Sequence, residues 1–338
     1  MQILRGILRN SVSKSLKFET PVSIHLMRKD IMARLDESAR GVYLIAVTPF
    51  TETGALDLEG CDRMVDFYLE AGATGLTLLG VMGEAPKLTT DESATIVNRV
   101  LKRVDGRVPI VVGVSSPGFA QMQALTGRVM DDGAAGVMIA PPGSLRTDDQ
   151  IAGYYEQAAE MIGDVPFVLQ DFPLTTGVQM SVPVIARIIK DIPTCVCLKH
   201  EDWPGLAKIT ALRKEGATAR RVSILCGNGG VFLPEEMERG ADGAMTGFAY
   251  PEMMTGVVEN HAKGDMERAR DLFDAYLPLA RFEQQPGLGL AIRKYVLYRR
   301  GVLANPTLRK PGAALDPLSR AEVDRLMARL EKRLKELN

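Results

Sequence analysis

Eight short apolar runs, each followed by a helix-like stretch, constrain this chain more than any single residue does. The runs cover 42–47, 75–79, 108–113, 136–140, 165–170, 195–199, 223–226 and 243–246. Between them lie amphipathic segments, among them 58–70, 91–103, 119–130, 151–161, 182–189 and 206–214. Near-continuous apolar strands of this length imply burial on both faces, as in a parallel sheet covered by helices. The spacing therefore predicts an α/β fold, a (β/α)8 barrel. A doubly wound open sheet would call for Gly-x-Gly-x-x-Gly after its first strand, and none is there. Further helical stretches follow at 266–281, 288–300 and 317–337, joined by turns at Gln285-Pro286-Gly287 and Asn305-Pro306. The organisation expected is an extension over 1–40, a barrel over 41–264 and a C-terminal helical region over 265–338.

Charge and hydropathy narrow the class of partner. The 41 basic and 42 acidic residues leave a net charge of −1, without the basic footprint of a nucleic-acid binder. No run approaches the roughly 18 apolar residues of a membrane span. A small-molecule ligand and a cytoplasmic location are the expectation. The first 18 residues hold Arg5, Arg9, Lys14 and Lys17 and no acid, so an organelle-targeting segment is the alternative. Cys61, Cys195, Cys197 and Cys226 form no paired pattern and read as buried thiols. Cys195 and Cys197 beside His200 match one spacing of a zinc site, but no second ligand pair follows. No metal or cofactor is expected.

In such a barrel the chemistry lies at the strand C-termini. The sixth run ends Cys195-Val196-Cys197-Leu198-Lys199-His200-Glu201. Alternation places Cys195, Cys197, Lys199 and Glu201 on one face, with Val196, Leu198 and His200 on the other. A lysine held among apolar groups is a usable nucleophile toward carbonyls, and a nearby carboxylate can move protons. The competing reading is a solvated surface lysine. The fifth run turns Val168 and Gln170 toward the same space. After the second run, Gly80-Val81-Met82-Gly83-Glu84 either aims backbone N–H groups at an anion or makes a tight turn. Asn228 and Thr246, at the ends of the seventh and eighth runs, leave room for a ligand or start ordinary loops. Trp203-Pro204 reads as the opening of the next helix, with Asp202 as its cap.

With these residues in place, the chain resembles the dihydrodipicolinate synthase / N-acetylneuraminate lyase family over roughly 41–300. The resemblance rests on Val47-Thr48-Pro49-Phe50, Gly80-x-x-Gly83-Glu84, the Pro173…Thr176-Gly177 turn and Lys199 after the sixth strand. It implies a homo-oligomer (tetramer or dimer) and a Schiff base between Lys199 and a 2-oxo acid. It also implies substrate contacts at Thr48, Gly80, Val81, Met82 and Gly83, with Glu84 holding the turn in shape.

Departures from the family pattern redirect the function. Val81 and Met82 stand where the family has two threonines, and Gln170 stands where it has the proton-shuttling tyrosine. Thr175 replaces the arginine with which synthases bind a second carboxylate. The 2-keto-3-deoxy-L-arabonate dehydratases are similar at Gln170-Asp171-x-Pro173, Lys199-x-Glu201, 243–247 and Leu277-Pro278-Leu279. That resemblance implies an imine on Lys199, proton transfer by Glu201 and orientation by the non-titrating Gln170. The expected reaction is dehydration of a 2-keto-3-deoxy sugar acid. Retro-aldol cleavage to pyruvate and an aldehyde is the alternative. Synthase activity and a non-catalytic binding barrel rank lower.

Overall fold

Why the apolar runs become strands is visible in where their side chains go. The computed structural model describes residues 34–337 apart from 204 and 215. Strands β1 (Gly41–Ile45), β2 (Gly75–Leu78), β3 (Ile110–Gly113), β4 (Gly136–Ile139), β5 (Phe167–Asp171), β6 (Cys195–His200), β7 (Ser223–Cys226) and β8 (Gly243–Thr246) pair in parallel. β1 closes on β8, so the sheet is an eight-stranded barrel in sequence order. Closure leaves no sheet edge to protect.

Every strand residue is buried, and alternation divides the strands between two cores. Leu44, Leu76, Ile110, Val137, Phe167, Leu198 and Ile224 point outward into the larger core beneath the helices. Tyr43, Ile45, Val111, Met138, Val168, Cys197, Leu225 and Met245 fill the lumen. Leu35 and Ala39 close the barrel from below within that inner cluster.

Helices α1 (Leu58–Glu70), α2 (Thr90–Val104), α3 (Phe119–Asp132), α4 (Asp148–Ile162), the single turn α5 (Pro173–Thr176), α6 (Val182–Asp191), α7 (Leu206–Arg213), α8 (Leu233–Glu238) and α9 (Pro251–Ala262) connect or cover the strands. The capping box of Thr147 and Gln150 starts α4 three residues before its apolar stripe begins. Beyond the barrel come α10 (Met266–Glu283), α11 (Gly289–Arg299) and α12 (Pro317–Leu337). Among the described residues no helix is long and apolar enough to cross a membrane. The basic segment over 1–18, and most of the 1–40 extension, lie outside the described residues.

Two local expectations are corrected. Strict alternation along β6 fails, because Phe167 pairs with Cys195 while the next residue of β5, Val168, pairs with Cys197. Val196 is therefore the extra residue of a β-bulge. Cys195 faces the outer core, and Val196 joins Cys197 in the inner one. The Cys195 carbonyl at the bulge accepts a hydrogen bond from Arg220 at 2.6 Å. Second, α7 begins at Leu206 after Gly205, so Asp202 is not its cap. The Asp202 carboxylate instead accepts from the Trp203 amide at 2.8 Å and pairs with Lys208 at 2.6 Å.

Candidate active site

Above the bulge β6 alternates regularly, and this turns Lys199 into the lumen directly above Cys197. Burial pushes the Cys197 thiol up to about 12, so the group below the lysine is neutral. The Glu201 amide donates to the Asp171 carbonyl at 2.8 Å. That bond carries the ladder one residue past the strand and keeps the Glu201 side chain on the lumen side. Lys199 Nζ lies 2.9 Å from Glu201 Oε2. The same oxygen accepts from Gln170 Nε2 at 2.8 Å. Gln170 is the register partner of Lys199 across β5 and β6. All three side chains are almost fully buried, at 4–5% exposure.

This arrangement needs Gly227, which in the sequence is only one of the small residues that end the seventh run. A Cβ on Gly227 would fall 2.0 Å from Glu201 Cγ, so any side chain there would displace the carboxylate. Its place at the end of β7, the strand beside β6, was the available signal. Next to it, Asn228 Nδ2 donates to the Glu201 carbonyl at 3.1 Å, and the Gly229 amide donates to Thr246 Oγ1 at 2.9 Å. Asn228 and Thr246 thus join the ends of β6, β7 and β8 on the Glu201 side. The sequence alone does not single out Thr77. It is the inward residue of β2, and its buried hydroxyl has no hydrogen-bond partner among the described residues.

A second part of the mouth is the turn after β2. Gly80 borders the lumen, since a Cβ there would meet Ile45 Cγ2 at 3.3 Å. The Gly83 amide donates to the Gly80 carbonyl at 3.0 Å and the Glu84 amide to the Val81 carbonyl at 3.1 Å. The amides of Val81 and Met82 have no partner among the described residues. Met82 packs against the inner cluster, whereas the Val81 side chain is about half exposed. Thr48 donates its hydroxyl proton to the Gly83 carbonyl at 2.5 Å, so it serves the turn rather than facing the lumen as a free donor.

The partial zinc spacing of Cys195, Cys197 and His200 does not bring those side chains together, because Cys197 points inward while Cys195 and His200 point outward. Among the described residues no group of His, Cys, Asp and Glu is arranged to hold a metal ion. Behind the strands, Asp171 and His200 form an outward-facing polar row with Lys208.

A profile of the Dihydrodipicolinate synthetase family matches residues 38–332. The chain belongs to that family. It is accordingly a class I lyase, of the kind that works through a lysine Schiff base on 2-oxo acids. It is 32% identical to an L-2-keto-3-deoxyarabonate dehydratase from Azospirillum brasilense, over 86% of this chain and 94% of that one. It is 28% identical to a 4-hydroxy-tetrahydrodipicolinate synthase from Chlorobium luteolum, over 85% and 95% of the two chains. A crystal structure of a dihydrodipicolinate synthase from Rhodopseudomonas palustris superposes with a TM-score of 0.86 at 54% identity, covering 88% of this chain and 99% of that one.

Proposed function

We propose that this family member dehydrates a 2-keto-3-deoxy sugar acid, with Lys199 as the imine-forming amine and Glu201 as the proton carrier. The observation that carries the reading is the shared Glu201 oxygen. Oε2 accepts from Gln170 and forms an ion pair with Lys199, which fixes the carboxylate beside the amine where a C2 imine would form. In the family pattern a tyrosine moves the protons; here the amide of Gln170 can only orient its neighbours.

The chemistry follows. The Lys199 amine adds to the C2 ketone and water leaves, giving an iminium. Its electron demand acidifies C3, and Glu201 takes the C3 proton to leave an enamine. The enamine pushes out the C4 hydroxyl, which departs as water when Glu201 returns the proton. A water then hydrolyses the remaining iminium, releasing the dehydrated 2-oxo acid and restoring the Lys199 amine. General acid and base groups must lie within hydrogen-bond reach of the reacting centre, and Glu201 is placed beside the lysine that anchors it. The substrate carboxylate goes to the turn after β2. Val81 and Met82 lack threonine hydroxyls, but backbone amides remain whatever the side chain, and these two are unbonded.

The name on the Rhodopseudomonas palustris structure points elsewhere, toward the synthase. Val81, Met82, Gln170 and Thr175 weigh against that activity, since they remove the hydroxyls, the shuttle and the cation that it draws on. The deciding experiment incubates the enzyme with a panel of 2-keto-3-deoxy acids and analyses the products. Loss of water without pyruvate is the expected result. Pyruvate plus an aldehyde would replace dehydration with retro-aldol cleavage. Borohydride reduction in the presence of substrate should attach the substrate carbon to Lys199, and no adduct there would remove the Schiff base.

A further inference from the structure

The turn after β2 is bracketed by two non-glycine residues in left-handed backbone, Leu79 at φ 54° and Glu84 at φ 56°. Such conformations persist where the surroundings over-determine them, and they concentrate at functional sites. At Leu79 the accommodation comes from β3, where a Cβ on Gly113 would lie 2.5 Å from the Leu79 carbonyl oxygen. At Glu84 it comes from the side chain. That carboxylate is 2% exposed and accepts from Lys294 Nζ at 2.6 Å, Lys87 Nζ at 2.9 Å and the Arg309 amide at 3.1 Å.

Lys294 reaches this point from α11, in the C-terminal helical region, and is itself wholly buried. Its ammonium has three protons to donate. Besides Glu84 it donates to the Thr48 carbonyl at 2.7 Å and the Thr307 carbonyl at 2.9 Å. The Phe50 ring lies 4.5 Å from the nitrogen. Thr48 in turn donates its hydroxyl to Gly83 within the turn. One cation therefore ties together the segment after β1, the Gly83–Glu84 end of the turn and the stretch after α11.

We propose that Lys294 is a positioning residue for substrate binding: its charge holds the Gly80–Glu84 turn in the geometry that receives the 2-oxo acid's carboxylate. This rests on the reading that the turn is the carboxylate site. With a neutral residue at 294, Glu84 would keep a buried negative charge short of its main partner. The left-handed residue would then relax and the turn would loosen. Lys199 and Glu201 are anchored to β5, β6 and β7 and would not follow. The defect should appear in the concentration of 2-oxo acid required and leave the limiting rate of imine formation alone.

Burial pushes the Lys294 ammonium down to about 8, with Glu84 opposing the shift and Lys87 and Arg309 adding to it. The cation is thus present below that pH and lost above it, which supplies a second readout. The test is borohydride trapping titrated with pyruvate. Lys294→Met should raise the half-saturating pyruvate concentration by about tenfold or more, equivalent to one decade in affinity, with the limiting trapping rate nearly unchanged. With pyruvamide, which keeps the ketone and lacks the carboxylate, the same variant should show little defect. Lys294→Arg should retain most of the affinity and abolish the rise in half-saturation that the parent enzyme shows above about pH 8.

Equal defects with pyruvate and pyruvamide, or none with either, would overturn the proposal while leaving the Schiff base intact. Should Lys294→Met fail to fold, the pH series of the parent enzyme against Lys294→Arg still decides. Coincident profiles would overturn the proposal. A parent enzyme that traps no 2-oxo acid at all would overturn both this proposal and the function it rests on.

Discussion

Two lysines lie on opposite sides of the same strands and are treated differently by their surroundings. Lys208, on the helix side, donates to Asp171 at 2.9 Å and to the Met180 carbonyl at 2.7 Å, and pairs with Asp202 at 2.6 Å. Its donors are all engaged. Lys199, on the lumen side, meets Glu201 at 2.9 Å and has no second partner among the described residues. Both are largely buried, so desolvation alone does not distinguish them. The difference is saturation. A cation whose donors are all taken can only hold structure, whereas one with donors to spare, beside a carboxylate at the strand ends, is open to a reactant.

The comparison breaks first at Glu201. Glu201→Gln keeps the shape and the bond to Gln170 but removes the proton carrier. Turnover should fall by about 10²–10⁴-fold, while borohydride still traps the imine on Lys199. Steady-state rates alongside mass spectrometry of the trapped protein check both halves, and full turnover would take Glu201 out of the mechanism.

On the helix side the same kind of lesion should read out as stability. Lys208→Met strands the Asp171 carboxylate, which is fully buried, and should cost about 3–5 kcal/mol in chemical denaturation. The folded fraction should still form the imine. Loss of trapping without loss of stability would erase the distinction between the two lysines.

A smaller effect sharpens the picture of the outer side. Burial pushes the Glu236 carboxyl up from 4.5 to about 7, opposed in part by His200. Between those values the folded protein holds a proton that the unfolded chain releases. The stabilisation is therefore complete below pH 4.5 and is lost as the pH rises through about 7. Its size is about 3 kcal/mol, as an upper bound. Glu236→Gln should flatten that part of the stability profile, measured by denaturant titration from pH 4.5 to 7.5; an unchanged slope would exclude Glu236 as its source.

Much of this was legible in the chain. Each strand is buried on both faces, and β-branched apolar runs announce that directly, so all eight were placed with ends displaced by a few residues at most. The lysine and its carboxylate were legible because a period of two relates residues 199 and 201 wherever the strand begins. The bulge at Val196 was not. A valine is as good in a regular strand as in a bulge, and the arginine that satisfies the bulged backbone, Arg220, lies 25 residues on. The partnership of Glu84 and Lys294 was also hidden, because it spans 210 residues and joins the barrel to a helix outside it. Local patterning carries information about faces and periods, not about which distant charge completes a buried pair.

The bulge in β6 works as a phase shifter. Below it the strand keeps step with the floor of the barrel, and above it with the reacting centre. Were Val196 an ordinary member of the ladder, everything above it would rotate by half a period. Imidazole would then face the lumen, and the amine would be lost among the helices. Whether this chain offers its substrate a nucleophile thus depends on the parity of a count as well as on the identity of a side chain.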